Sequence, residues 1–286
     1  MTTQNLLVEL FVEELPPKAL QKLGDAFATV LGDQLKSQGL ASAASVVTPF
    51  ASPRRLAAHV TAVADKAADK AVQQKLMPVT VGLDASGNAT PALLKKLQAL
   101  GADVSNPTAA VAALKRAQDG KAEALFYDSV VPGATLQAGL QKALDEAIAK
   151  LPIPKVMSYQ LETDCELPGL VALHGSTVVP VKALGLTAGN STQGHRFEAA
   201  VSPVVLADAD SYAATLQKDG AVIASFAERK AEIARQLAAA AAKVGNGARP
   251  IEDDALLDEV TALVERPNVV ICQFEEQFLG VPQECL

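Results

Sequence analysis

Apolar and polar positions along the chain fall into two rhythms. "NLLVELF" (5–11) is a dense apolar run of strand length. Pro16 and Pro17 then open a helix, where proline costs little in the first turn. Leu20, Leu23, Phe27, Val30, Leu31 and Leu35 follow at three- and four-residue steps, and Gly39 is placed to end that helix. "SVVTPF" and "RRLAAHVTAVA" read as strands. In the second, Leu56, Ala58, Val60 and Ala62 alternate with Arg55, His59 and Thr61, which predicts one buried and one open face.

The central stretch continues in the same mixed way. "GLDASGNATPALLKKLQALGAD" predicts a loop and a short helix capped by Thr90, with Pro91 in its first position. "EALFYDSVV" predicts a strand and "LQAGLQKALDEAIAKL" an amphipathic helix. "KVMSYQL", "GLVALHG", "TVVPVKAL" and "HRFEAAVS" predict short strands. Ser225 and Glu228 form a capping box that opens an alanine-rich helix ending near Gly245. "DDALLDEVTALVE" predicts a last helix, with Leu256, Leu257, Val260, Leu263 and Val264 as its packed side, and "NVVICQF" a last strand. Strands and helices interleave without a regular period, which favours α+β with mixed or antiparallel sheets and packed helices. The expected division is 1–65, 66–205 and 206–286, or one large domain.

Composition narrows the chemistry. The hydrophobic share of 49% permits a sizeable core, but aromatics are only 4%, so aliphatic side chains must build it. Cys165, Cys272 and Cys285 fit no metal or disulfide spacing, which suits a reduced, cytoplasmic protein. No apolar run reaches the length of a membrane span, and the acidic N-terminus does not read as a signal peptide. Residues 251–286 hold nine acids and one base, a net of -8, so the rest sums to +1 within a total of -7. That balance excludes broad electrostatic binding to nucleic acid and leaves room for a few point contacts. The acidic carboxylates Glu252, Asp253, Asp254, Asp258 and Glu259 are candidates for docking onto a basic partner surface.

Motifs for catalysis are missing. Gly185, Gly189 and Gly194 have the wrong spacing for a dinucleotide loop, and no G-K-[ST], H-E-x-x-H or G-x-S-x-G occurs. "KVMS" at 155–158 lacks the second lysine of an ATP loop. His59, His174 and His195 have no zinc-like spacing. No catalytic residue, no metal and no cofactor is therefore expected within these 286 residues.

Six stretches in fixed order carry more information. "LLVELFVEELPPKAL", "SPRRLA", "LPIPKVMSY", "LVALHG", "GHRFEA" and "LLDEVTALVERPNVV", closed by "FLGVPQEC", resemble the beta subunit of bacterial glycyl-tRNA synthetase over essentially the whole chain. The resemblance places the chain in the N-terminal part of a longer subunit. It implies that glycine activation with ATP belongs to a separate alpha subunit, and that this portion alone charges no tRNA. It implies tRNA(Gly), the alpha subunit and the remainder of the beta subunit as partners. It also implies a partial likeness to the B3/B4 domain of the phenylalanyl-tRNA synthetase beta chain, which edits mischarged tRNA. An ester-hydrolase role and a purely structural scaffold are thus the alternatives. One departure stands out: "QLETDCELPG" (160–169) replaces a longer family segment with Arg-Pro-x-His near its end. Within the shared stretches, Arg54, Arg55, His195 and Arg196 are candidates for contact with tRNA or another domain, because guanidinium groups bind phosphate through paired hydrogen bonds. The structural alternative for "GHRFEA" is a glycine turn with Phe197 pointing inward and His195 bonded to backbone.

Overall fold

A computed structural model describes residues 2–119, 122–154, 169–273 and 275–280. In chain order it contains β1 (Thr3–Phe11), α1 (Pro17–Ser37), β2 (Val47–Ser52) and β3 (Arg55–Ala64). Then come β4 (Lys70–Pro78), α2 (Val79–Gly82), α3 (Pro91–Ala99), α4 (Pro107–Ala112), β5 (Leu114–Asp119) and β6 (Ala122–Val131). After these follow α5 (Leu136–Ala149), β7 (Gly169–His174), β8 (Thr177–Val178), α6 (Tyr212–Lys218), α7 (Phe226–Val244) and α8 (Asp254–Leu263). Four further two-residue strands lie between Lys182 and Val205. The α+β class expected from the interleaving holds, and every pairing between these strands is antiparallel.

Compactness divides the chain differently from the three expected segments. One unit is Met1–Lys66 with Thr135–Leu286, and the other is the inserted Ala67–Ala134. The physical reason is β1. It sits at the centre of a sheet ordered β2-β3-β1-β7-β8, so the N-terminal residues pair with a strand from the far half of the chain.

Both faces of that sheet are covered. Leu7, Ala57, Val171 and Leu173 pack on one side with Tyr212 and Leu216 of α6. On the other side α1 runs against β2 and β3. This corrects the half-open reading of β3: Arg55, Leu56, Ala57 and Ala58 are all buried. A register irregularity opposite Gln4 and Leu6 also breaks the alternation, so Ala62 turns outward at φ 52° and Val63 takes the inward place.

Helix α1 approaches the sheet through glycines. A Cβ on Gly24 would lie 2.7 Å from Ala51 Cβ, and one on Gly32 would lie 2.6 Å from Val47 Cγ2. Gly24→Val is therefore expected to lower the unfolding free energy by about 1–3 kcal/mol, the usual cost of overpacking. Urea denaturation checks this; an unchanged midpoint would show that α1 can lift off the sheet at no cost.

The caps at Thr90 and Ser225 form as expected, with their side chains accepting from Leu93 N–H and Glu228 N–H. Three strand expectations fail. Residues 195–202 form a turn and bends, residues 268–273 lack strand pairing, and Pro180 interrupts "TVVPVKAL". Helix α8 buries Thr261 and Ala262 while Leu256 and Leu263 stay exposed at 57% and 59%, so its expected apolar side is only partly used. "KVMSYQL", the 160–169 segment, Cys165 and Cys285 lie outside the described residues. Among the described residues no helix is long and apolar enough to cross a membrane.

The inserted unit has a three-stranded sheet ordered β4-β6-β5. Leu76, Leu83, Leu93, Leu97 and Leu125 form its core, with Met77, Leu114 and Tyr127 packed against them.

Candidate functional site

Four of the shared sequence stretches meet in the larger unit. Strand register brings Glu9 opposite Ala57 and Phe11 opposite Arg55, on the face that also carries Tyr212. Arg55 is fully buried. Its Nε lies 3.5 Å from Glu9 Oε2, and its Nη1 donates to Ser52 Oγ at 3.2 Å and to Glu265 Oε1 at 3.3 Å. Its Nη2 donates to the carbonyl of Gln193 at 2.6 Å. Arg54 donates to the Gly194 carbonyl at 3.2 Å and to Glu265 Oε2 at 3.3 Å. Thus one carboxylate bridges two guanidinium groups, and both guanidiniums hold the backbone just before His195. The two cations also lie over the Phe11 ring, at 5.1 and 5.4 Å from its centroid.

Glu9 completes the cluster. It accepts hydrogen bonds from Thr192 Oγ1 and from the Tyr212 hydroxyl. Burial, then the charge of Glu9, pushes the Tyr212 phenol well above its ordinary range, so it remains a donor. Arg229, also buried, fastens the surrounding segments. It donates to the carbonyls of Thr261, Ile223 and Ala51 at 2.9, 2.7 and 2.9 Å. Burial lowers its guanidinium to about 10, an effect that the charge of Glu265 partly offsets.

The cluster presents a rigid turn. His195 N–H donates to Gly220 O at 2.7 Å, and Ala199 N–H donates to His195 O at 3.1 Å. Gly194 is packed so closely that a Cβ would lie 2.7 Å from Gly220 O. The His195 Nδ1 accepts from Phe197 N–H at 3.2 Å, which fixes the ring locally. Phe197 does not point inward: it is 86% exposed. Its outward aim follows from the turn, because bonds at His195, Ala199 and Ala200 anchor the backbone on either side of it.

Arg54, His195, Arg196 and Phe197 line a common cleft of about 240 Å³ with Glu14, Leu263, Glu265 and Arg266. Three of the four candidates named from sequence thus come together in one place. Arg55 lies beneath, with no surface for a phosphate. Glu9, Glu265, Tyr212 and Arg229 were not foreseen; a signal existed only in Glu9 and Glu265, which sit inside the shared stretches as charges among apolar residues. A wider cleft of about 940 Å³ lies beside Arg266 and is lined by Glu198, Glu228 and Glu232. Hydrogen bonds from Arg235, then Gln236, hold Glu232 at about 2, and Arg266 pairs with Glu198 at 3.0 Å.

The other candidates separate. His59 pairs with Asp210 at 2.7 Å and His174 with the Val63 carbonyl at 2.7 Å, so the three histidines have different partners. In the acidic stretch, Asp253 caps α8 through Leu256 N–H. Asp258 and Asp254 lie 2.6 and 3.8 Å from Lys230, so the chain itself supplies part of the basic charge that the stretch was expected to find elsewhere. Glu252 and Glu259 face solvent.

Residues 6–286 match the family described as glycyl-tRNA synthetase beta subunit. The glycine–tRNA ligase beta subunit of Polaromonas naphthalenivorans is 78% identical over 298 aligned positions, covering 100% of this chain and 42% of that protein. Those of Paracidovorax citrulli and Dechloromonas aromatica are 73% and 65% identical, with 42% of each covered. The first alignment is twelve positions longer than the 286 residues here, so that relative holds residues this chain lacks. The chain spans about two-fifths of the length of these relatives. It belongs to the family of glycyl-tRNA synthetase beta subunits.

Proposed function

We propose that this chain handles tRNA(Gly) and supports assembly as the N-terminal part of a glycine–tRNA ligase beta subunit, while an alpha subunit uses ATP and forms glycyl-tRNA. The observation that carries the reading is the turn at 194–198. The shared stretches build a buried ion-pair cluster whose exterior product is a rigid loop with Arg196 exposed and Phe197 almost fully solvated. Holding a phenyl ring in water forgoes roughly 1.5–3 kcal/mol of burial, which a bound partner recovers. The cleft offers guanidiniums, an imidazole and an aromatic ring, groups suited to phosphates and bases. A partial likeness to the B3/B4 domain of the phenylalanyl-tRNA synthetase beta chain belongs to the same proposal. Its ester-hydrolase activity has less support, because among the described residues no Ser, Thr or Cys lines this cleft. Glu252 and Glu259 are the remaining carboxylates for docking onto a basic surface of the alpha subunit or of the rest of the beta subunit.

The test uses the complete alpha–beta enzyme with Arg196→Ala and Phe197→Ala combined in the beta subunit. The expected result is a KM for tRNA raised about tenfold or more, with kcat and the KM for glycine near wild type, the signature of lost ground-state binding. Unchanged KM for tRNA overturns the tRNA assignment. Dissociation of the subunits on ultracentrifugation, with tRNA binding intact, would instead place the turn at a protein interface.

A further inference from the structure

The second face of the inserted unit carries a separate arrangement. Strand β6 is central in its sheet, and its side chains alternate. Leu125 and Tyr127 join the leucine core, whereas Phe126 lies on the opposite face and is only half-buried. Register sets Lys75 of β4 and Lys115 of β5 directly opposite Phe126, one on each side. Both lysines are exposed. Side-chain bonds confirm that these residues share the face: Gln73 Nε2 donates to Asp128 Oδ1 at 3.0 Å, and Lys115 Nζ lies 2.6 Å from Asp128 Oδ2. The face therefore holds one aromatic ring at its centre, an ammonium group on either side, Gln73 with the carboxylate of Asp128 at one end, and Ala124 with Pro78 and Ala117 at the other.

We propose that this face is a stacking platform for an unpaired nucleotide of a single-stranded RNA segment. An open sheet that offers a ring to a base and cations to the adjoining phosphates is a common solution for single strands, because every base has a π-face. Adjacent cross-strand positions lie about 4.5–5.5 Å apart, so both ammonium groups reach phosphates next to a base stacked on Phe126. Both lysines already have partners, Asp128 in the case of Lys115, but exposed contacts of this kind contribute little and exchange readily for a phosphate. Beyond Phe126 the same face carries Ala124 between Pro78 and Ala117, so what favours RNA over a protein partner is the pair of ammonium groups set on either side of the ring. The site is distinct from the turn at 194–198; it shares with the reading above only the premise that the protein handles tRNA.

The experiment measures binding of the 286-residue chain to a twelve-nucleotide single-stranded oligouridine and to an RNA duplex of equal length, by fluorescence anisotropy across salt. The expected result is preference for the single strand. Phe126→Leu is expected to weaken single-strand binding about 5- to 150-fold, the range for losing one stacked base. Phe126→Tyr should retain it, which separates stacking from a folding defect. Lys75→Gln with Lys115→Gln should flatten the log–log salt slope by about 0.7 for each phosphate no longer neutralised. Equal affinity of wild type and Phe126→Leu overturns the proposal, as does equal affinity for single strand and duplex. In the complete alpha–beta enzyme, loss of subunit association by Phe126→Leu with RNA binding unchanged also overturns it and makes the face a protein contact. If the Arg196→Ala, Phe197→Ala variant loses tRNA binding while Phe126→Leu does not, this platform fails and the turn at 194–198 stands.

Discussion

Arg55→Met is expected to lower the stability of the larger unit by roughly 3–5 kcal/mol. The methionine keeps much of the side-chain volume and removes the charge, so the loss reports the ion pairs rather than a cavity. What remains is an interior carboxylate, Glu9, with hydroxyl donors from Thr192 and Tyr212 but without its cation. Breaking a buried pair from one side is costly because the surviving charge has left water and no longer has a counter-ion to offset that loss. The Gln193 carbonyl and one oxygen of Glu265 lose their donor as well. Urea unfolding followed by circular dichroism measures the difference. The matched variant Arg55→Met with Glu9→Gln should recover part of it, because contacting charges couple by about 0.5–3 kcal/mol. A deficit below about 1 kcal/mol for the single variant, or no recovery in the double, would mean that the cluster does not hold this fold.

That cluster also marks the limit of what the sequence could disclose. The elements were legible where local signals were strong: the apolar run at 5–11, the leucine steps from Leu20 to Leu35, and the caps at Thr90 and Ser225. They failed where tertiary partners decide. The "RRLAAHV" alternation predicted an open face, but α1 covers one side of β3 and α6 with its neighbouring loop covers the other, so Arg55 is interior. "HRFEAAVS" has strand-like composition, yet backbone bonds to Asp219 and Gly220 fold it into a turn. The candidate site was half legible. Arg54, His195 and Arg196 were named from shared stretches, but no local pattern says that Glu265, more than two hundred residues from Arg54, bridges both arginines. Charge counting also misled: a net of -8 over 251–286 overstates the unmatched charge, since Lys230, Arg54 and Arg55 reach into that stretch.

Arg229→Met is expected to release α8 from the larger unit, at a cost of at least about 3 kcal/mol. Its guanidinium donates to carbonyls on three separate segments: Ala51 at the end of β2, Ile223 before α7, and Thr261 within α8. A hydrogen bond from a charged donor contributes about 1.5–3 kcal/mol, and each buried carbonyl left without a partner costs about 1–3 kcal/mol, although such terms do not simply add. Lysine cannot substitute, because its ammonium lacks the planar fork that reaches several directions at once. Hydrogen exchange is the measurement. Amides of residues 257–263 should lose protection by tenfold or more, while those of α1 between Leu23 and Leu35 keep theirs. The effect should extend to the turn. Helix α8 leads directly into Glu265, whose backbone carbonyl accepts from Ile223 N–H at 2.9 Å and whose carboxylate holds Arg54 and Arg55. Those arginines in turn hold the carbonyls of Gly194 and Gln193. Amides at His195 and Ala199 should therefore exchange faster in Arg229→Met, although Arg229 touches neither. Normal protection there, with α8 already released, would show that the turn is secured by its own backbone bonds to Gly220 and Asp219 and that the ion-pair cluster is not what presents Phe197.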